Sequence, residues 1–149
     1  MIIAIAGKAG SGKSTLAQAI GYPVLSMAKE VKRLALDLGW NGVKDHQGRK
    51  LLQTLGTDLC RDCIDQDYWI ECWKRQYTGG DVIIDDVRFA NELEYFTSIG
   101  ARTVLITSRQ EDGVRVHKSE SVPAWDYDLV FDNSKGYSAL TEFAKLCRC

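Results

Sequence analysis

Gly7-Lys8-Ala9-Gly10-Ser11-Gly12-Lys13-Ser14 is the stretch whose reading decides the fold. It follows the apolar run Ile2-Ile3-Ala4-Ile5-Ala6 directly. The order reads as a buried strand, a glycine-rich turn and a helix start, with the spacing G-x-x-x-x-G-K-[ST]. Glycines let the backbone curl until several N–H groups face one point, and such a nest holds an anion. The helix opening at Lys13 adds the positive end of its dipole. Leu16, Ala17 and Ile20 follow at helical spacing, which separates this stretch from a chance glycine-rich turn. The pattern fixes a ligand class, a nucleoside triphosphate with magnesium. The expected binding set is Gly7, Gly10, Ser11, Gly12, Lys13, Ser14 and Thr15. Lys13 is expected to reach the β- and γ-phosphates and the Ser14 hydroxyl to ligate Mg²⁺.

The rest of the chain bounds what such a loop serves. Its 149 residues suit one domain, and 45% hydrophobic content supports a core. No window approaches a membrane span. A net charge of −1 argues against bulk affinity for nucleic acid or membranes. The chain starts on a strand without a secretory n-region, so a cytoplasmic setting is expected. Cysteines stand at 60, 63, 72, 147 and 149, an odd number that reads as free thiols. Cys60-Arg61-Asp62-Cys63 has a metal-ligand spacing but would need two further ligands, such as Cys147 and Cys149.

Periodicity predicts strands at 2–6, 23–26, 82–84, 103–106 and 129–131. Helices are predicted at 13–20, 28–38, 48–63, 68–77, 89–99 and 136–147, with Gly56 weakening the third. Residues 108–125 carry mixed charge and no period, which suits a lid that closes over phosphates. The expected fold is α/β, a P-loop three-layer sandwich. It has a mostly parallel five-stranded sheet with helices on both faces and a short lid. One domain spans residues 1–149, with acceptor-binding helices at about 28–77.

Magnesium held by a P-loop serine usually has an acidic anchor at the end of another core strand. Asp85 and Asp86 follow Val82-Ile83-Ile84, and alternation sends their side chains to opposite faces. Asp85 is the expected metal partner of Ser14, with the choice set by where the strand stops. Arg88 stands near the same edge and could neutralise phosphoryl oxygens or form a surface ion pair. At about 100° per residue, Arg49, Gln53, Thr57 and Arg61 share one helix face, opposite Leu51, Leu52, Leu55 and Leu59. That face reads either as solvated or as an acceptor site, with arginines for a monophosphate and Gln53 for a base edge. His117 is read as a lid or structural residue, because a phosphate acceptor is already anionic at neutral pH.

Four blocks together are more specific than the glycine loop. They are Gly48-Arg49-Lys50-Leu51-Leu52-Gln53-Thr54-Leu55-Gly56-Thr57-Asp58 with Arg61, then Asp67-Tyr68-Trp69. Asp85-Asp86-Val87-Arg88-Phe89-Ala90-Asn91-Glu92 follows, and then His117-Lys118-Ser119-Glu120 with Asp132-Asn133. In this order they resemble the phage-type deoxynucleoside monophosphate kinases, of the adenylate-kinase-like branch of P-loop folds. The resemblance runs over essentially the whole chain. It implies ATP-dependent phosphorylation of a deoxynucleoside monophosphate, in a host cytoplasm if the protein is viral. Lys13, Asp85, Arg88 and Arg109 would then be catalytic, and Ser14 and Asp85 would hold the metal. Lys32, Arg49, Gln53, Arg61, Trp69 and Asp86 would bind the acceptor. Asn133, with Ser134, would lie near the ATP base. Two positions depart from the family pattern: Met27 where Phe is common, and Ala90 where Pro is common.

Other readings remain at this stage. A dephospho-coenzyme A kinase-like enzyme would share Asp132-Asn133-Ser134 but not the block from Arg49 to Arg61. A guanine-nucleotide switch would want N-K-x-D, and Asn133-Ser134-Lys135-Gly136 lacks the aspartate. A non-catalytic nucleotide binder is the third reading. The base preference and oligomeric state stay open, with exposed tryptophans such as Trp40 or Trp73 as markers of a homodimer interface.

Overall fold

The structure is a computed structural model that describes residues 1–107 and 122–149. Its contacts divide the chain into two units. One comprises Met1–Leu25 with Gly79–Cys149, and the other Ser26–Thr78.

The first unit is built on a parallel sheet. Strands β1 (Ile2–Ala6), β2 (Val82–Val87), β3 (Arg102–Thr107) and β4 (Leu129–Asp132) are ordered β2-β1-β3-β4. Helix α1 (Lys13–Ile20) follows β1, α5 (Ala90–Ser98) follows β2, and α6 (Tyr137–Cys147) follows β4. Alternation along each strand sends side chains to both faces. Ile3, Ile5, Ile83, Val104, Ile106 and Phe131 form one core with Leu16, Ala17 and Ile20 of α1 and Leu140, Phe143 and Ala144 of α6. Phe131 stacks on Phe143 at 4.7 Å between ring centroids. Helix α5 packs on β1 and β3 with Leu93 and Phe96 fully buried, outside that cluster and on the other face. The apolar runs are continuous because both faces are covered.

Among the described residues the sheet has four strands, where five were expected. The expected strand at 23–26 is reduced to a bridge, Val24 opposite Ile83. There Leu25 N donates to Ile83 O at 2.9 Å, and Ile83 N to Pro23 O at 2.8 Å. Pro23 has no N–H to give and ends the pairing on its own side. Every strand pair in the sheet is parallel.

The second unit is helical: α2 (Ala28–Asp37), α3 (His46–Gln53), a π-helix (Thr54–Ile64) and α4 (Tyr68–Gln76). Asp45 caps α3 by accepting from Gly48 N at 2.8 Å. The single α-helix expected over 48–63 is corrected here. It starts at His46 and changes to π geometry at Thr54. In the π stretch the hydrogen bonds join residues five apart, and several such pairs share an environment. Leu55 and Cys60 are buried, whereas Thr54 and Leu59 are exposed, as are Asp58 and Cys63. The 100° wheel therefore fails beyond Gln53. Leu59 faces solvent, and Thr57 and Arg61 are buried at 4% and 7% exposure. Trp73 is also corrected: it is buried and stacks on Tyr77, so it marks no surface.

Candidate active site

The glycine loop joins β1 to α1 at the C-terminal end of the central strands, where open α/β sheets bind ligands. Gly7 has to be glycine for want of space. A Cβ there would stand 2.5 Å from Ile106 O and 2.7 Å from Ser11 Oγ. Gly12 has φ +102 and packs its Cα face against the Asn133 side-chain amide, so a Cβ is excluded twice. Lys13 Nζ donates to Gly7 O and Lys8 O, both at 2.7 Å, and so lies across the loop. Ser11 is fully buried, and its Oγ has no hydrogen-bond partner among the described residues. A buried hydroxyl without a partner is costly, and this one sits within the glycine loop.

Asp85 and Asp86 lie within β2, since the strand runs on to Val87. Between the pairs Ala4–Ile84 and Ala6–Val87 the register shifts, so Ile5 alone faces both aspartates. Such a bulge redirects side chains. The Asp85 carboxylate comes to the loop, with Oδ2 3.5 Å from Ser14 Oγ. This is too long for a strong hydrogen bond, but octahedral magnesium with bonds of about 2.1 Å needs neighbouring oxygens roughly 3 Å apart. The pair, the glycine loop and the buried hydroxyl fit a magnesium triphosphate.

Arg88 is half-buried where β2 passes into α5. Sequence reasoning missed what holds it there. Glu92, 3% exposed, accepts from Arg88 N at 2.7 Å and Phe89 N at 3.0 Å. This is one half of a capping box, with Phe89 in place of the usual Ser or Thr. A glutamate three residues beyond the helix entry was the available signal. Ala90 is the first residue of α5, a position that also accepts proline, so this departure leaves the helix start intact. Met27, the other departure, is buried at 4% exposure just before α2.

Asn133 opens a short 3-10 turn after β4, and its Nδ2 donates to Ser11 O at 2.9 Å. Asp132 Oδ1 accepts from Ser134 N at 2.9 Å. Arg109 and His117-Lys118-Ser119-Glu120 lie outside the described residues, as does most of the expected lid.

In the helical unit, Lys32 on α2 and Gln53 on α3 are half-buried, and Arg49 on α3 is exposed. Arg49 Nε donates to Lys44 O at 3.2 Å. Arg61 lies in the π-helix and donates to Gln66 O at 2.8 Å, while Trp69 Nε1 donates to Gly56 O at 2.6 Å. With Thr57 and Arg61 buried, the polar set is not a plain solvated face. Cys60 is buried, and burial pushes its thiol pKa up. Cys63 is exposed and donates to Asp58 O at 3.1 Å. Among the described residues, no helix is long and apolar enough to cross a membrane.

The parallel sheet, the glycine loop and the aspartate on the neighbouring strand make an α/β protein consistent with a P-loop kinase fold. Comparison with known proteins narrows the class. The family model described as deoxynucleotide monophosphate kinase matches residues 36–142, more than half of the chain. That match begins beyond the glycine loop, so loop and family are separate observations. The chain belongs to the deoxynucleotide monophosphate kinase family. It is 29% identical over 114 residues to the deoxynucleotide monophosphate kinase of Enterobacteria phage T4, covering 71% of this chain and 46% of that protein. The enzyme of the same name from Escherichia phage RB69 is 28% identical over 92 residues, covering 57% and 38%. A putative deoxynucleotide monophosphate kinase of Acanthamoeba polyphaga mimivirus is 27% identical over 177 aligned positions, covering 91% and 89%. The chain thus spans less than half the length of the two phage relatives that it matches.

Proposed function

We propose that the chain transfers the γ-phosphoryl group of ATP to a deoxynucleoside monophosphate, with Mg²⁺, giving the diphosphate. The observation that carries this reading is Ser14 beside Asp85 at the mouth of the glycine loop, in a chain of this family. Lys13 and the backbone N–H groups from Gly10 to Thr15 would bind the triphosphate, and Ser14 and Asp85 would hold the metal. Magnesium, when bound, neutralises charge on the phosphate oxygens. Arg88, fixed at the strand end by Glu92, would offset charge that develops on the transferring group. Arg109 would act likewise from the lid. The protein supplies position and electrostatics, with no covalent intermediate.

Lys32, Arg49, Gln53, Arg61, Trp69 and Asp86 are assigned to the acceptor. The arginines suit a monophosphate and Gln53 a base edge. The partners are then two small molecules, without nucleic acid or membrane. The test is ADP release from ATP with each deoxynucleoside and ribonucleoside monophosphate, and with dephospho-coenzyme A. Turnover that depends on a deoxynucleoside monophosphate is expected. Turnover on dephospho-coenzyme A alone, or ATP binding without acceptor-dependent turnover, overturns the assignment.

A further inference from the structure

The loop's carbonyl groups have different keepers. Gly7 O and Lys8 O accept from Lys13 Nζ, and Gly12 O accepts from Leu16 N at 2.9 Å. These partners belong to the loop or its own helix. Ser11 O is held from outside, by Asn133, 122 residues further along the chain. In a planar trans peptide the C=O and the following N–H point in opposite directions. Drawing Ser11 O toward Asn133 therefore turns the Gly12 N–H the other way, away from Asn133. Gly12 at φ +102 is a glycine joint with little intrinsic resistance to rotation. The Ser11–Gly12 peptide is thus held from outside the loop, by Asn133. The fit is close, because a Cβ on Gly12 would collide with Asn133 Nδ2.

We infer that Asn133 is a positioning residue for the phosphate-binding loop. It aims the Gly12 N–H and so sets affinity for the triphosphate itself, not for the base. This rests on the proposed donor role of the loop and replaces the base-side role that the family resemblance implies for Asn133.

The test titrates the full chain with inorganic tripolyphosphate and with ATP, each with Mg²⁺, by calorimetry. Tripolyphosphate carries neither base nor sugar. Asn133→Ala is expected to weaken both ligands alike, by about five- to tenfold, the usual worth of one hydrogen bond. In steady state KM for ATP rises while KM for the acceptor moves less than about twofold. Asn133→Asp keeps the shape but cannot donate, and its carboxylate opposes Ser11 O and the phosphates, so its loss is larger. It also serves if the alanine variant melts early. Loss of ATP affinity with tripolyphosphate binding intact would mean a base contact and overturns the inference. So does unchanged tripolyphosphate affinity in Asn133→Asp. Wild-type protein that binds neither ligand overturns the donor-site reading, and this inference with it.

Discussion

The Ser14 hydroxyl lies 3.5 Å from Oδ2 of Asp85, although 71 residues separate them in the chain. The register shift opposite Ile5 falls at the Asp85–Asp86 pair. Two oxygens so placed should act on one ion as a unit. Asp85→Asn is expected to lower turnover by about 10²–10³-fold, as for loss of one transition-state electrostatic partner. The Mg²⁺ concentration for half-maximal rate should rise. Ser14→Ala should act in the same direction, and the double variant should lose less than the product of the two. Magnesium titrations of initial rate check this, and independent effects would show that the residues serve different ligands.

Lys13 bridges Gly7 O and Lys8 O, so its ammonium also ties the loop together. Lys13→Ala should still fold, because the core beneath the loop is Ile3, Ile5, Leu16 and Ile20. Turnover should fall by at least about 10²-fold. Assay and thermal melt are read side by side, and near-normal phosphoryl transfer in this variant would sink the kinase assignment.

Glu92 supports two N–H groups from a nearly fully buried position. Glu92→Ala leaves both donors without their acceptor and should cost about 1–3 kcal/mol in urea unfolding. Glu92→Gln keeps an acceptor oxygen and should lose less. Activity should fall with Glu92→Ala even where the protein is folded, because the Arg88 backbone loses its anchor. Equal stability of the two variants would remove the capping role.

Burial separates the thiols. Cys63 and Cys149 are exposed, whereas Cys60, Cys72 and Cys147 are buried. Burial pushes the Cys147 thiol up to about 11, with Arg102 and Arg148 pulling weakly the other way. A disulfide reagent at pH 8 should therefore modify Cys63 and Cys149 fast and Cys147 only on unfolding. Mass spectrometry of the labelled peptides reads this, and early labelling of Cys147 would contradict the packing of α6.

Asp128 accepts from the Thr103 backbone N–H at 2.7 Å and from its hydroxyl at 2.8 Å. The backbone bond above all lowers the carboxyl pKa below its ordinary value, with Arg102 helping and burial opposing. A depressed folded-state pKa means the unfolded chain takes up the proton first as pH falls. The stabilisation is then complete above about pH 4, the unfolded value, and disappears as pH drops through the lower folded value. Asp128→Asn should flatten this acid limb in melting temperature against pH and leave the neutral slope unchanged. An acid limb identical to wild type would show that other carboxylates carry it.

Local chemistry made much of the fold legible. The run Ile2-Ile3-Ala4-Ile5-Ala6, the glycine loop and the helix behind it are short-range patterns, and the structure has them as β1, loop and α1. The expected fifth strand failed on a residue in plain view, Pro23, because an apolar run does not reveal how many ladder bonds its neighbour completes. The helix bearing Arg49 and Arg61 was legible as a helix, but its polar face was not. A wheel assumes one period, and the change to π geometry at Thr54 turns Leu59 outward and Arg61 inward.

The sequence by itself determined the glycine loop, its lysine and its serine. Glycine conformations, strand alternation and helix starts are settled by neighbours within a few residues. Tertiary structure decided which of two adjacent aspartates meets that serine, that Glu92 anchors Arg88, and that Asn133 braces Ser11 O. Contacts such as Ser14–Asp85 and Asn133–Ser11 depend on strand order and register between distant segments. That register is set by packing β1 between β2 and β3, a relation no window of the chain contains.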